Sequence, residues 1–378
     1  MSLSSIDWDR SRSGPLHGPP RFQFNCDTPL LVTLLLVIGL GFIVLYSALG
    51  ADAGKLMRQG VRFAAAFGAF FVLAQIPPHY LRMWTPWFYA FVLGLLLLVM
   101  VNGEIGKGAQ RWLNLGFVSI QPSEFMKLAV PMMVAWFMHD RSLPPRLSHL
   151  FVMAVIVLVP ALIIERQPDL GTALLVVASG GLTILLAGLS VRILAVLGLI
   201  GVCAAPLHWV FAMSDYQKAR VLTFLNPESD PLGAGYNGVQ AKIAIGSGGL
   251  FGKGWLNGTQ AHLEFLPERS TDFVFAVMAE EFGLLGLLLL LTLYLILVGR
   301  GLYIAAQAQD TFTRLLAGTL SLTFFVYVFV NTAMVCGLLP VVGVPLPLVS
   351  AGGTSMVTLM AGFGMLAAIG GHRKLLAP

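Results

Sequence analysis

The chain has 378 residues, of which 57% are hydrophobic and only 11% charged, with a formal net charge of +5. A soluble domain carries about 25% charged residues, so this composition excludes a water-soluble globular protein and points to a chain solvated mainly by lipid. The excess of base does not imply nucleic acid, because Lys and Arg are scattered through short segments between apolar runs, where they set membrane orientation.

Residues 1–26 are polar, with Arg10, Arg12 and Arg21 among Pro and Gly, and read as a disordered tail. No small-residue cleavage site follows the first apolar run, so that run is expected to stay as an uncleaved anchor. Apolar runs near the ~20-residue spanning length then fall at 29–49, 58–75, 83–101, 122–138, 148–164, 171–188, 191–212, 273–299, 313–339 and 350–370. They predict an all-α integral membrane protein with ten transmembrane helices over 27–373 and a short tail at 374–378. Both termini then share one side. Lys and Arg are more numerous on that side than in the short loops opposite, which makes it cytoplasmic. Most of the acids fall on the other, outer side, which reads as a polar working surface. Cys26, Cys203 and Cys336 match no metal or disulfide spacing and read as small core residues.

The connection at 213–271 is the single large loop, lying between the seventh and eighth spans on the outer side. Long loops in compact proteins are functional or disordered. This one holds Phe251, Trp255, Phe265 and an amphipathic stretch over Val239–Ile245, so an ordered cap with short interfacial helices is expected.

Five groups of residues could carry chemistry. Asp272 stands where that loop meets the eighth span, with Glu268 and Arg269 just before it and Glu280 eight residues on, about 80° round a helical wheel. An ionisable group at a spanning segment costs free energy and is a functional candidate by default. The alternative is that Ser270 or Thr271 caps the helix and Asp272 merely favours its dipole. Pro122-Ser123-Glu124-Phe125-Met126-Lys127 opens the fourth span and puts Glu124 and Lys127 on one face. They form either a self-neutralising surface pair or a pair facing a cavity. An outer rim of Lys55, Arg58, Gln59, Arg62, Lys107, Gln110 and Arg111 suits an anionic ligand, or lipid headgroups. The run Gly246–Gly254 looks like a phosphate loop, but Ser247 and Gly254 break the Walker pattern and no βαβ unit surrounds it. A backbone nest or a hinge remains. Finally, Asn331–Ser355 carries Pro340, Pro345 and Pro347, which forbid helix there. Such backbone survives at membrane depth only when buried in protein or lining a wet cavity. Ser350, Thr354 and Ser355 could cap the last helix and aim its positive N-terminus into that cavity.

At Asn331–Ser355, Gln121–Lys127 and Leu266–Glu281 the chain resembles the SEDS family (shape, elongation, division and sporulation proteins) over about residues 27–373. The Leu266-Pro267-Glu268-Arg269 run is closer to the rod-shape branch than to the division branch, and Ser270 stands where many relatives carry His. The resemblance implies a ten-helix peptidoglycan glycosyltransferase. It would polymerise lipid II on the outer face of the bacterial inner membrane during elongation, with a class B penicillin-binding protein as partner. It puts the catalytic aspartate at Asp272 and functional groups at Glu124 and Lys127. The residues fit that chemistry. Asp272 would take the proton of a sugar hydroxyl. Lys127, Arg111, Arg62, Lys242 and Arg269 would receive a departing pyrophosphate, with or without Mg²⁺ or Mn²⁺ held by acidic neighbours. Two rival readings are a flippase for the lipid-linked precursor, which needs no base at the interface, and a scaffold.

Overall fold

The computed structural model describes residues 27–372, apart from 107–108, 115, 117–118, 212, 214, 227–233 and 263–264. The two tails expected from sequence, and Lys107, lie outside the described residues. Ten helices fall on the ten apolar runs: α1 (Thr28–Ala48), α2 (Ala53–Gln75), α3 (Pro78–Asn102), α4 (Pro122–Met138), α5 (Leu147–Arg166), α6 (Leu170–Leu186), α7 (Val191–Phe211), α11 (Val274–Ala306), α12 (Thr311–Val335) and α13 (Thr354–Gly371). Eight of these are long and apolar enough to cross a membrane; α4 and α6 have 17 residues each and fall short by length. Between α7 and α11 run α8 (Asp215–Leu225), α9 (Ala234–Gly248) and the short α10 (Thr259–His262). The amphipathic stretch noted in the sequence lies within α9, which buries Ala241 and Ala244 and packs on α11.

The chain is not purely helical. β1 (Glu104–Gly106), β2 (Ala109–Asn114) and β3 (Ser119–Ile120) form an antiparallel sheet in strand order, between α3 and α4. β1 and β3, of three and two residues, are too short for periodicity to reveal.

Of the acids that read as a polar outer surface, Asp52 and Asp169 turn out to be helix caps, as do Asp27 and Asp310 of the expected inner segments. Asp27, Asp52, Asp169 and Asp310 each accept a hydrogen bond from a backbone N–H three residues on, opening α1, α2, α6 and α12. Each satisfies a donor that the helix leaves unpaired. Asp27 also takes a two-pronged contact from Arg300, at 2.9 Å from Nε and 2.8 Å from Nη2.

The core lies where α2 packs along α13, α11 along α12 and α3 along α4. Phe70, Met126, Phe273 and Phe312 are fully buried there. None of the spanning window of α7 is buried, so this helix stands at the periphery.

Two irregular segments interrupt the bundle. Residues 336–353, between α12 and α13, contain no helix, and Leu346, Leu348, Val349 and Ser350 are buried. On α1, Gly41 makes room for this segment; a Cβ there would lie 3.0 Å from the Leu348 carbonyl oxygen. The other break is in α11, where Gly283 adopts φ 64°, ψ −163°. The glycine-rich run fills that break. Lys253 N–H donates to Glu280 O and Gly254 N–H to Glu281 O, while Leu284 N–H and Leu285 N–H donate to Gly249 O and Leu250 O. The run therefore supplies the partners that the broken helix lacks, as buried backbone requires.

Candidate active site

Asp272 does not cap a helix. α11 begins at Val274, its N-cap is Phe273, and no side chain caps it. Asp272 instead lies in a tight turn over 267–273 that is tied to the non-helical 336–353 segment twice directly and once through Asn331 of α12. Ala351 N–H donates to Ser270 O at 2.8 Å, Ser350 Oγ donates to Thr271 O, and Asn331 Nδ2 donates to Asp272 O at 3.0 Å. Asn331 also donates to Val344 O at 2.7 Å, so one buried amide joins the turn to the segment. These contacts fix the backbone of Asp272 and leave its carboxylate directed at Gly343, where a Cβ would come 3.6 Å from Oδ2.

On α4, Lys127 Nζ lies 2.7 Å from Glu124 Oε1, with both side chains about nine-tenths buried. The ammonium also lies over the ring of Tyr327 on α12, 5.0 Å from its centroid, a favourable cation–π arrangement. A surface pair would not be enclosed in this way, so the surface alternative does not describe the geometry. Tyr327 and Asn331 are four residues apart on α12, about 6 Å along the axis. α12 thus carries the contact to Lys127 on one turn and the contact to Asp272 on the next.

Arg111 extends from β2 to the start of α6. Its Nη2 donates to Pro168 O at 2.9 Å and its Nε lies 3.5 Å from Asp169 Oδ2. Across a small cavity of about 50 Å³ stands Arg220 of α8, whose Nη1 donates to Val341 O at 3.1 Å. The cavity wall includes Pro340, Val341 and Val342, so the backbone segment that faces Asp272 at Gly343 faces two guanidiniums at 340–342. Sequence reasoning missed Arg220, because the connection at 213–271 was read as a cap and its charges were set aside.

The other candidates divide. Arg62 is exposed and donates weakly to Gln59 (3.4 Å), whose Nε2 donates to Gly352 O at 3.3 Å. Lys242 is exposed and lies against Gly337, at the start of the non-helical segment. Both therefore border the site. Arg269 reaches the α1–α2 connection, 3.6 Å from where a Cβ of Gly50 would stand. Thr354 opens α13, and Ser355 Oγ lies near Gly352, but the N-cap is Gly353 with no side-chain cap, so the expected capping is not seen. Ser350 commits its hydroxyl to Leu346 N–H and Thr271 O and acts as a latch.

Glu280 needs correction most. It is fully buried, and it does not join Asp272. It holds Lys253 Nζ at 2.7 Å and Thr259 Oγ1 at 2.9 Å, and it accepts from Gln260 N–H at 3.2 Å. It clamps the glycine-rich run to α11. Glu281 turns the other way and accepts from Ser47 of α1.

The sequence pattern of the FtsW/RodA/SpoVE family, described as cell cycle proteins, matches residues 27–375. The chain is 52% identical to the peptidoglycan glycosyltransferase MrdB of Escherichia coli K12, over 94% of this chain and 96% of that one. It is 34% identical to the stage V sporulation protein E of Bacillus subtilis, over 90% and 95%. Its fold matches a chain of a peptidoglycan synthase complex that coordinates polymerisation and crosslinking, with TM-score 0.81 at 31% identity, over 93% and 99%. The chain belongs to the FtsW/RodA/SpoVE family. As a member it is a multi-pass membrane protein, consistent with its eight long apolar helices. The rod shape determining protein RodA of Thermus thermophilus matches with TM-score 0.70 at 28% identity, over 92% and 98%.

Among the described residues, no group of three or more His, Cys, Asp or Glu is placed to hold a metal. No step below is routed through a metal.

Proposed function

We infer that this chain is a peptidoglycan glycosyltransferase, and we propose that its substrate is lipid II, polymerised on the outer face of the bacterial inner membrane during cell elongation. The carrying observation is the convergence of Asp272, the non-helical segment and the Lys127–Glu124 pair on neighbouring turns of α12. The relatives named as peptidoglycan glycosyltransferases support the reaction class.

The assignment of roles follows from charge and position. The Asp272 carboxylate takes the proton from the acceptor's 4-hydroxyl as that oxygen attacks the anomeric carbon of the donor sugar. The bond to the lipid pyrophosphate breaks, and the pyrophosphate leaves with the electron pair. With one carboxylate and an external nucleophile, the displacement is direct and inverts the anomeric centre. Arg111 and Arg220, at the start of α6, suit the departing diphosphate, since guanidinium forks match phosphate oxygens. Lys127 supplies a further buried charge. An apolar groove of about 740 Å³ between α2, α3, α4 and α13, lined by Trp84, Phe88, Phe125, Leu128 and Met132, suits the polyprenyl chain. Leu128 lies next to Lys127, so this groove adjoins the charged pair.

We further propose that all ten apolar helices cross the membrane, α4 and α6 as short spans inside the bundle, with the 213–271 connection outside. A class B penicillin-binding protein is the proposed partner, in keeping with the synthase complex among the structural matches.

Purified wild type, reconstituted with an activating class B penicillin-binding protein, is expected to convert lipid II into glycan strands. Absence of polymer, together with lipid II flipping in liposomes that survives Asp272→Ala, would establish the flippase reading instead.

A further inference from the structure

At the end of α4 remote from Asp272, Arg82 of α3 meets Trp136, His139, Asp140 and Arg141 around a polar cavity of about 530 Å³. Arg82 Nη1 contacts His139 Nε2. Among the described residues, the other ring nitrogen, Nδ1, is buried without a hydrogen-bond partner. Arg141 stacks its guanidinium over the Phe137 ring, 3.7 Å from the centroid, and donates to Phe137 O. Among the described residues, neither arginine has a carboxylate within ion-pair distance. The one acid lining the cavity, Asp140, is 90% exposed and lies 3.5 Å from His139. Its charge opposes an anion but is spent largely on water.

Two guanidiniums with unused donors, facing one cavity without a buried counter-charge, form an arrangement that an anion completes. The forked donors match phosphate oxygens. The position argues for a lipid-borne phosphate. The cavity lies at the ends of α3 and α4, bordered by the indole of Trp136, which is 37% exposed. Aromatic residues of this kind collect at the headgroup level of a bilayer, and basic pockets between spanning helices on the cytoplasmic side bind anionic headgroups.

We propose that Arg82, Arg141 and His139 form a binding site for the phosphodiester of an anionic phospholipid in the leaflet opposite Asp272. None of these residues belongs to the active site, so the lipid would anchor the α3–α4 end of the bundle rather than take part in glycan transfer.

Native mass spectrometry of the purified full chain tests this, with phosphatidylglycerol and phosphatidylcholine as probes. Wild type is expected to retain one phosphatidylglycerol in preference to phosphatidylcholine. Arg82→Ala/Arg141→Ala is expected to lose that preference by about tenfold or more, the scale of one lost charged contact. Arg82→Lys/Arg141→Lys keeps the charges without the forks and is expected to fall between the two; it also serves if the alanine variant fails to fold. Equal retention of both lipids by wild type, or undiminished preference in both double variants, overturns the proposal. Displacement of phosphatidylglycerol by inorganic phosphate at equal concentration overturns the lipid assignment in favour of free phosphate.

Discussion

Asp272, Glu124 and Lys127 were each visible in the sequence as charged groups among apolar residues, because an ion near lipid needs a reason to be there. What the sequence did not reveal was which charges satisfy one another. Glu280 looked like a partner of Asp272 on a helical wheel, yet Lys253, from a loop far back in the chain, occupies it. Arg220 was overlooked because nothing local distinguishes it; its role rests on a contact with Val341, remote in sequence. The Glu124–Lys127 pair yields a prediction at this scale. Removing one partner leaves a buried uncompensated charge, at a cost of about 3–5 kcal/mol. Glu124→Gln and Lys127→Ala should therefore each lower thermal stability as well as activity. The double variant Glu124→Gln/Lys127→Met should recover most of the stability, measured by melting in detergent, and still fail to polymerise lipid II. Recovery of activity in the double variant would show the pair to be structural only.

At the level of elements, all ten helical runs could be read from hydropathy, and the prolines of 336–353 correctly marked a segment without helix. The sheet at 104–120 could not be read that way, since its order comes from pairing such as Glu104 with Trp112 rather than from periodicity. The glycine-rich run was legible as unusual but not as a strap, because its purpose depends on a break in another element. Gly252 has φ 79°, and a Cβ there would lie 2.1 Å from Glu281 O. Both the left-handed backbone and the close approach exclude a side chain. Gly252→Ala should destabilise the protein by about 1–3 kcal/mol, seen as a lower melting temperature. Replacing Gly246, around which a Cβ would meet nothing within 4 Å, should leave melting nearly unchanged. Equal effects at the two positions would contradict the strap.

For the whole molecule, composition alone settled the solvent, and the surplus of basic residues on the side shared by the termini suggested an orientation. The orientation is testable in a variant with Cys26, Cys203 and Cys336 replaced by Ser. Lys55→Cys and Ser142→Cys place single thiols at exposed positions, in the first turn of α2 and in the α4–α5 connection respectively. A membrane-impermeant maleimide should label the first on intact spheroplasts and the second only after permeabilisation; the reverse pattern would invert the proposed topology. In the proposed transferase site, distant segments of the chain meet on α12 with Asp272 as the base. This arrangement is tested most directly by the rate of lipid II polymerisation in the purified complex with the penicillin-binding protein, comparing wild type with Asp272→Asn. General-base removal predicts a fall of about 10²–10⁴-fold, with melting temperature and partner binding unchanged. A rate within a few-fold of wild type would contradict the account.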